Sequence, residues 1–235
     1  AGHEAKHAEN YRINSFHLGE GSPKQKFRAN MDAIYTLKTL ENQNRDATPE
    51  EQEMLANYVG WGGLADAFDA EKTAWTGEYK ELKAALTEEE YAAARASTLN
   101  AHYTSPTVIR AIYEALDGMG FEKGNILEPS MGVGNFFGML PDSMLGSRLY
   151  GVELDSITGR IAQKLYPQAE IKVAGFETTD RRDFYDLAVG NVPFGNYRVS
   201  DKPYDKLGFS IHNYFFAKAL DQVRPGGIVA FVTSR

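Results

Sequence analysis

From residue 1 to about 100 the apolar positions recur at intervals of three and four, the period of a helix with one buried face. Ser22-Pro23 reads as a cap and first-turn pair, and Phe27, Met31, Ile34, Leu37 and Leu40 follow as one stripe, which predicts an amphipathic helix. Thr48-Pro49-Glu50-Glu51 is a capping box with proline at the first helical position. The helix it opens carries Met54, Leu55 and Tyr58 and stops at Gly60. A third helix start stands at Thr87-Glu88-Glu89-Glu90. Between them, Gly60-Trp61-Gly62-Gly63 reads as a helix end and tight turn whose tryptophan packs into the core, with a functional loop as the competing reading.

From residue 103 the character changes. Short apolar runs bounded by glycine or proline alternate with helical patterns, which predicts a parallel sheet with crossover helices. The expected strands are Asn125 to Glu128, Leu149 to Glu153, Ile171 to Ala174, Asp186 to Gly190 and Ile228 to Thr233. Helices are expected to start near Pro106, Asn135, Ser156 and His212. The fold class is therefore α/β, a doubly wound parallel sheet, with an N-terminal helical subdomain over residues 1–100 and the sheet domain over residues 101–235. The sequence ends two residues after the fifth strand, so further strands of the sheet are expected to be missing.

Composition narrows the classes. With 43% apolar and 24% charged residues the chain is neither disordered nor fibrous. The apolar run Ile228-Val229-Ala230-Phe231-Val232 is far below the ~20 residues that span a bilayer, and no basic-then-apolar signal opens the chain, so we expect a cytoplasmic protein without a membrane partner. The absence of cysteine excludes disulfides, thiolate zinc sites and a cysteine nucleophile. The five histidines are scattered. His3 and His7 stand in a polar leader that reads as solvated and frayed, and no metal site is expected. The net charge of −7 opposes phosphate binding, so if DNA is a partner its basic contacts must be concentrated on one face or supplied by a part of a larger protein.

Candidate chemistry begins where the first strand ends, in Glu128-Pro129-Ser130-Met131-Gly132-Val133-Gly134-Asn135-Phe136. Two glycines let the backbone pass close to a ligand, and the helix start that follows offers N–H groups to a carboxylate or phosphate. Glu153, 19 residues after Gly134, ends the second strand, where a carboxylate accepts hydrogen bonds from two ribose hydroxyls. This much fits any nucleoside-binding doubly wound domain, nicotinamide enzymes included. A tight turn beside a solvated acid is the bland alternative.

The fourth strand runs into Asn191-Val192-Pro193-Phe194-Gly195. This resembles the Asn-Pro-Pro-Phe/Tyr signature of methyltransferases that act on planar amino groups. Tyr103-Thr104-Ser105-Pro106 is similar to the segment preceding the first strand in adenine methyltransferases, and Glu128-Pro129 with Gly132 and Gly134 is similar to their methionine-binding turn. From Tyr11 onward the chain also resembles the methylase region of large methylase-helicase proteins of conjugative elements and phages. That resemblance rests on Lys26-Phe27-Arg28, Ala47-Thr48-Pro49-Glu50-Glu51, Tyr58-Val59-Gly60-Trp61-Gly62-Gly63 and Leu99-Asn100-Ala101-His102-Tyr103-Thr104. It implies a Rossmann-like methyltransferase fold, S-adenosylmethionine as cofactor, DNA adenine as target, a helicase-like remainder and a role in DNA modification or protection from restriction.

By the same resemblance, the side-chain oxygen of Asn191 and the backbone oxygen of Val192 accept the two amino hydrogens of the target and draw the nitrogen lone pair out of the ring plane. Pro193 keeps the residue before it extended. Phe194 stacks on the extruded base, an interaction of about 1–3 kcal/mol in single-strand binders. Thr104 and Pro106 go to the methionine end of the cofactor, Glu128 to its amino group, Gly132 and Gly134 to backbone contact and Glu153 to the ribose; Tyr103 and Pro129 stand with them in the cofactor-binding set. Two positions depart from the pattern. Val192 stands where the signature has proline, and Gly175-Phe176-Glu177 stands where the family often has Asp-Phe, leaving the ring and backbone of Phe176 for the adenine, with Glu177 or Asp180 for the acid.

Taken without the resemblance, Phe194 also fits a core-filling side chain and Asn191 a turn after a strand. Glutamine-modifying protein methyltransferases, ribosomal RNA methyltransferases and a non-catalytic module that shields DNA are the competing functions.

Overall fold

The computed structural model describes residues 8–15, 19–99 and 104–233; the His3/His7 leader and Tyr103 lie outside the described residues. The chain divides into two compact units, Ala1–Tyr103 with Arg160–Gln168, and Thr104–Gly159 with Ala169–Arg235.

The first unit is helical. Helix α1 (Pro23–Asn42), α2 (Pro49–Ala56) and α4 (Glu88–Ala96) each begin with a reciprocal capping box, from Ser22 with Gln25, Thr48 with Glu51 and Thr87 with Glu90. Helix α3 (Thr76–Ala85), which the apolar pattern does not announce, has no side-chain cap and buries only Leu82. Phe27, Met31, Ile34, Leu37 and Leu40 are buried as the stripe requires. Trp61 is buried against Phe27, Tyr58 and Phe68 in edge-to-face contacts with centroids 5.4–6.4 Å apart. The buried amide of Asn30 holds the turn around it, donating to Gly60 O at 2.6 Å and accepting from Val59 N at 2.9 Å.

The second unit is a five-stranded, all-parallel sheet in the order β3-β2-β1-β4-β5. Its strands are β1 (Asn125–Glu128), β2 (Arg148–Glu153), β3 (Glu170–Val173), β4 (Tyr185–Asn191) and β5 (Val223–Val232), with helices α5 (Pro106–Gly118), α6 (Asn135–Gly138), α7 (Ser156–Leu165) and α8 (Ile211–Gln222) before and between them. This is a Rossmann-like α/β fold, and the strand order reverses between β1 and β4, the place where such sheets bind ligands at their carboxyl ends. Leu127, Val152, Ala188, Val192, Tyr214 and Phe215 lie in one buried cluster under the sheet.

Strand β5 begins five residues earlier than its apolar run. Tyr185 pairs with Val223 and Leu187 with Ile228, so Arg224-Pro225-Gly226-Gly227 is an excursion within the strand rather than a turn ahead of it. Proline supplies no ladder donor and Gly226 sits at φ 82°, both suited to a bulge.

Candidate functional site

Glu128 is the last residue of β1 and pairs in register with Gly151, two residues short of Glu153 on β2. The turn after Glu128 uses left-handed backbone at Gly132 (φ 56°) and Gly134 (φ 84°), a region that costs an ordinary side chain free energy. It is bound to β2 in two places, and a third bond fixes the other oxygen of Glu153. Met131 N donates to Val152 O at 2.9 Å, Gly132 N donates to Glu153 Oε1 at 2.9 Å, and Asp155 N donates to Glu153 Oε2 at 2.8 Å. Asp155 in turn caps α7 by accepting from Thr158 N at 3.0 Å. Each oxygen of Glu153 has one partner in this set, and a carboxylate has about four acceptor sites, so capacity remains for a pair of hydroxyls. Burial raises the Glu153 pKa, opposed by the backbone N–H groups of Asp155 and Gly132.

The Glu128 carboxyl is 2% exposed and its Oε2 has no hydrogen-bond partner. It packs beside Gly190 of β4, where an added Cβ would come within 3.2 Å of Glu128 Cγ. Burial pushes its pKa well above the ordinary carboxyl range, and the charge of Glu153 acts in the same direction. A buried polar atom left unpaired costs about 1–3 kcal/mol, so this oxygen is stabilised by any donor that reaches it, most of all a cationic one.

Asn191 ends β4, one residue beyond the glycine that touches Glu128. Its Nδ2 donates to Thr104 Oγ1 at 3.0 Å, which directs Oδ1 away as the amide's acceptor. Thr104 stands just before α5, whose cap Ser105 accepts from Val108 N at 3.3 Å and whose first residue is Pro106. Val192 is 1% exposed and its N donates to Val232 O at 3.2 Å, so its side chain belongs to the core cluster and its backbone continues the edge of the sheet. Pro193 and Phe194 are half-buried at that edge, whereas Pro129 is buried.

The segment after β3 is arranged differently from the rest of the expected set. The Phe176 ring is 2% exposed and packs on Phe215 at 4.9 Å and Tyr214 at 6.3 Å. Glu177 folds back over Gly175, where a Cβ would collide with its carboxyl oxygens, and Asp180 is exposed. Two features have no counterpart in the sequence reading. One is the Thr104–Asn191 bond, which joins residues 87 apart and leaves no trace in any local pattern. The other is Tyr197, half-exposed, whose hydroxyl is pushed upward in pKa by burial and by the charge of Glu153.

No family model matches the chain. It is 28% identical over 220 residues to the defense against restriction protein B of Escherichia phage P1, a match covering 91% of this chain and 8% of that protein. It is 34% identical over 92 residues to the type II methyltransferase M.CvrRI of Paramecium bursaria Chlorella virus XZ-6E, covering 39% of this chain and 24% of the relative. A solved structure from Listeria monocytogenes, a candidate class I S-adenosylmethionine-dependent methyltransferase, is 15% identical with a TM-score of 0.48, covering 89% of this chain and 72% of that one. Thus the chain spans a small part of the curated relatives it matches, and in sequence it is methyltransferase-like on a Rossmann-like sheet.

Proposed function

We propose that this chain is the S-adenosylmethionine-binding part of a methyltransferase acting on the exocyclic amino group of adenine in DNA. What supports the reading is that Asn191 ends β4 one residue past Gly190, which packs against buried Glu128 of the neighbouring strand β1, so that Asn191-Val192-Pro193-Phe194 leaves the sheet at the same carboxyl edge as the turn held by Glu153.

The residues suit the cofactor. Glu128 Oε2 matches an ammonium group, Gly132 and Gly134 leave backbone room, and Glu153 keeps acceptor capacity for a ribose diol. When bound, S-adenosylmethionine supplies an electrophilic methyl group on a sulfonium. The protein's own task is to present the target nitrogen. An aromatic amino group has its lone pair delocalised into the ring, and two acceptors, Asn191 Oδ1 and Val192 O, would hold its hydrogens so that the lone pair turns outward. Positioning of this kind supplies up to roughly 7–11 kcal/mol in favourable intramolecular cases, which is why no strong base is required. Phe194 would stack on the extruded base. Phe176, its ring buried, would offer backbone to the cofactor adenine.

The likeness to a phage protein named for defense against restriction supports a role in protecting DNA, through modification or, as a second reading, by shielding DNA without catalysis. Calorimetric titration with S-adenosylmethionine, using a nicotinamide dinucleotide as control, separates them. Saturable binding of the methyl donor alone supports the enzyme. Absence of binding leaves the non-catalytic module as the leading reading. In the binding-competent protein, Asn191→Ala should abolish methyl transfer while the donor still binds; parallel loss of both would overturn its role with the amino group.

A further inference from the structure

The strap that leaves β4 after Phe194, residues 195–208, carries two acids and three cations. Asp201 turns inward. Its Oδ2 accepts from Tyr214 Oη and from Lys218 Nζ, each at 2.6 Å, and the side chains of Asp201 and Lys218 are 10% and 4% exposed. Buried Tyr204 donates to Asp221 Oδ2 at 2.6 Å, and Val199 packs against the core cluster. Asp205 lies at the surface with both oxygens engaged, by Ser200 Oγ at 3.1 Å and by Asp201 N at 2.7 Å. The strap is thereby fastened by its acids and tyrosine.

Its three cations are at the surface. Arg198, Lys202 and Lys206 are exposed, and none makes an ion pair with a described residue. Some exposed cations elsewhere are paired, as in Lys24–Glu78, Arg28–Glu81, Arg45–Glu51 and Arg181–Glu170, whereas Lys80, Lys123 and Arg148, like those of the strap, are exposed with no ion pair to a described residue. In a chain with 25 basic and 32 acidic residues, the strap carries three exposed cations against one exposed acid, Asp205, a local reversal of the overall charge. The Arg198 guanidinium reaches back to within 4.0 Å of where a Cβ would stand on Gly208, which brings it to the Lys206 end of the strap, and Tyr197, the residue before it, is half-exposed.

Resting on the function proposed above, we propose that this strap is the surface that grips the DNA backbone, with Arg198, Lys202 and Lys206 on phosphates and Tyr197 as a stacking platform. Arg198 follows Phe194 by four residues, a reach of at most about 14 Å along an extended chain, so a strand held by the strap keeps one nucleotide within range of Asn191 and Phe194.

The test compares the 235-residue chain with the triple variant Arg198→Gln/Lys202→Gln/Lys206→Gln and with a control carrying the same charge change elsewhere, Lys80→Gln/Lys123→Gln/Arg148→Gln. Affinity for a labelled DNA strand and for its duplex is measured by fluorescence anisotropy at several salt concentrations, alongside donor binding by calorimetry. The strap variant should lose at least about tenfold in DNA affinity, and its slope of log affinity against log salt should fall by about 2–3, with donor affinity unchanged and the control near wild type. Equal losses in both variants, no loss in the strap variant, or a wild-type chain that binds donor but not DNA would each overturn the proposal while the cofactor reading stands. A wild-type chain that binds neither would remove both.

Discussion

Glu128 and Glu153 are two acids at the carboxyl ends of adjacent strands with opposite situations, and each makes a separable demand on experiment. Glu153 is an acceptor already held by two backbone N–H groups, and the role proposed for its remaining capacity is the ribose diol. Glu153→Ala is expected to weaken donor binding by on the order of 1.5–3 kcal/mol, read by calorimetry; unchanged affinity would place the ribose elsewhere. Glu128 is buried with an orphaned oxygen, and its raised pKa means that the folded protein retains a proton the unfolded chain gives up. That contribution to stability is complete below the ordinary carboxyl pKa and is lost as pH rises towards the raised folded value. Glu128→Gln, which keeps the shape without the charge, should flatten this decline in denaturant titrations run as a function of pH. An ammonium ligand reverses the preference, so donor binding should release a proton from Glu128. Calorimetry in buffers of different ionisation enthalpy would detect it, and the Gln variant should release none.

The turn between β1 and β2 depends on Gly151 as well as on its own glycines. A Cβ at Gly151 would run into the thioether of Met131, the residue that ties the turn to Val152. Gly151→Ala should therefore cost about 1–3 kcal/mol of stability by overpacking and weaken donor binding. A double-mutant cycle with Met131→Ala should show coupling, since the shortened side chain makes room for the added methyl. Elements whose instructions are local were readable in advance. The capping boxes at Ser22, Thr48 and Thr87 name their helices, and β1, α5 and α6 begin at the expected residues because glycine, proline and cap residues act within a turn. Helix α3 escaped because it has neither a side-chain cap nor an apolar stripe, only Leu82 buried. Strand β5 extends ahead of its apolar run because pairing with β4 carries Pro225-Gly226-Gly227, residues that suit a turn, as a bulge. The site divides along the same line. Glu128, Gly132, Gly134 and Glu153 belong to one strand-turn-strand pattern, whereas the Thr104 contact to Asn191 and the inward acid of the strap, Asp201, exist only once distant segments fold together.

At the scale of the whole molecule the decisive quantity is the net charge of −7, because it and the strap predict opposite responses to salt. Two bodies of like charge repel, and added salt screens that repulsion, so if the summed charge governed the encounter with DNA, binding would strengthen as salt is added. A compact cationic surface acts otherwise. Each phosphate it neutralises releases condensed counterions, and raising the salt concentration opposes that release, so affinity falls. The Debye length of ≈ 10 Å at 0.1 M ionic strength means that acids farther than this from a phosphate are largely screened, while a lysine or arginine in direct contact is not. The chain matches 8% of its phage relative, and in a longer protein other basic segments add their own terms, but the sign within this chain belongs to its own surface. We expect DNA affinity of the wild-type chain to fall monotonically between low and physiological salt, despite its acidic composition. In the Arg198→Gln/Lys202→Gln/Lys206→Gln variant the residual binding should be flat or should rise with salt, because only the long-range repulsion is left. A wild-type affinity that rises with salt would show that the summed charge, not the strap, meets the nucleic acid.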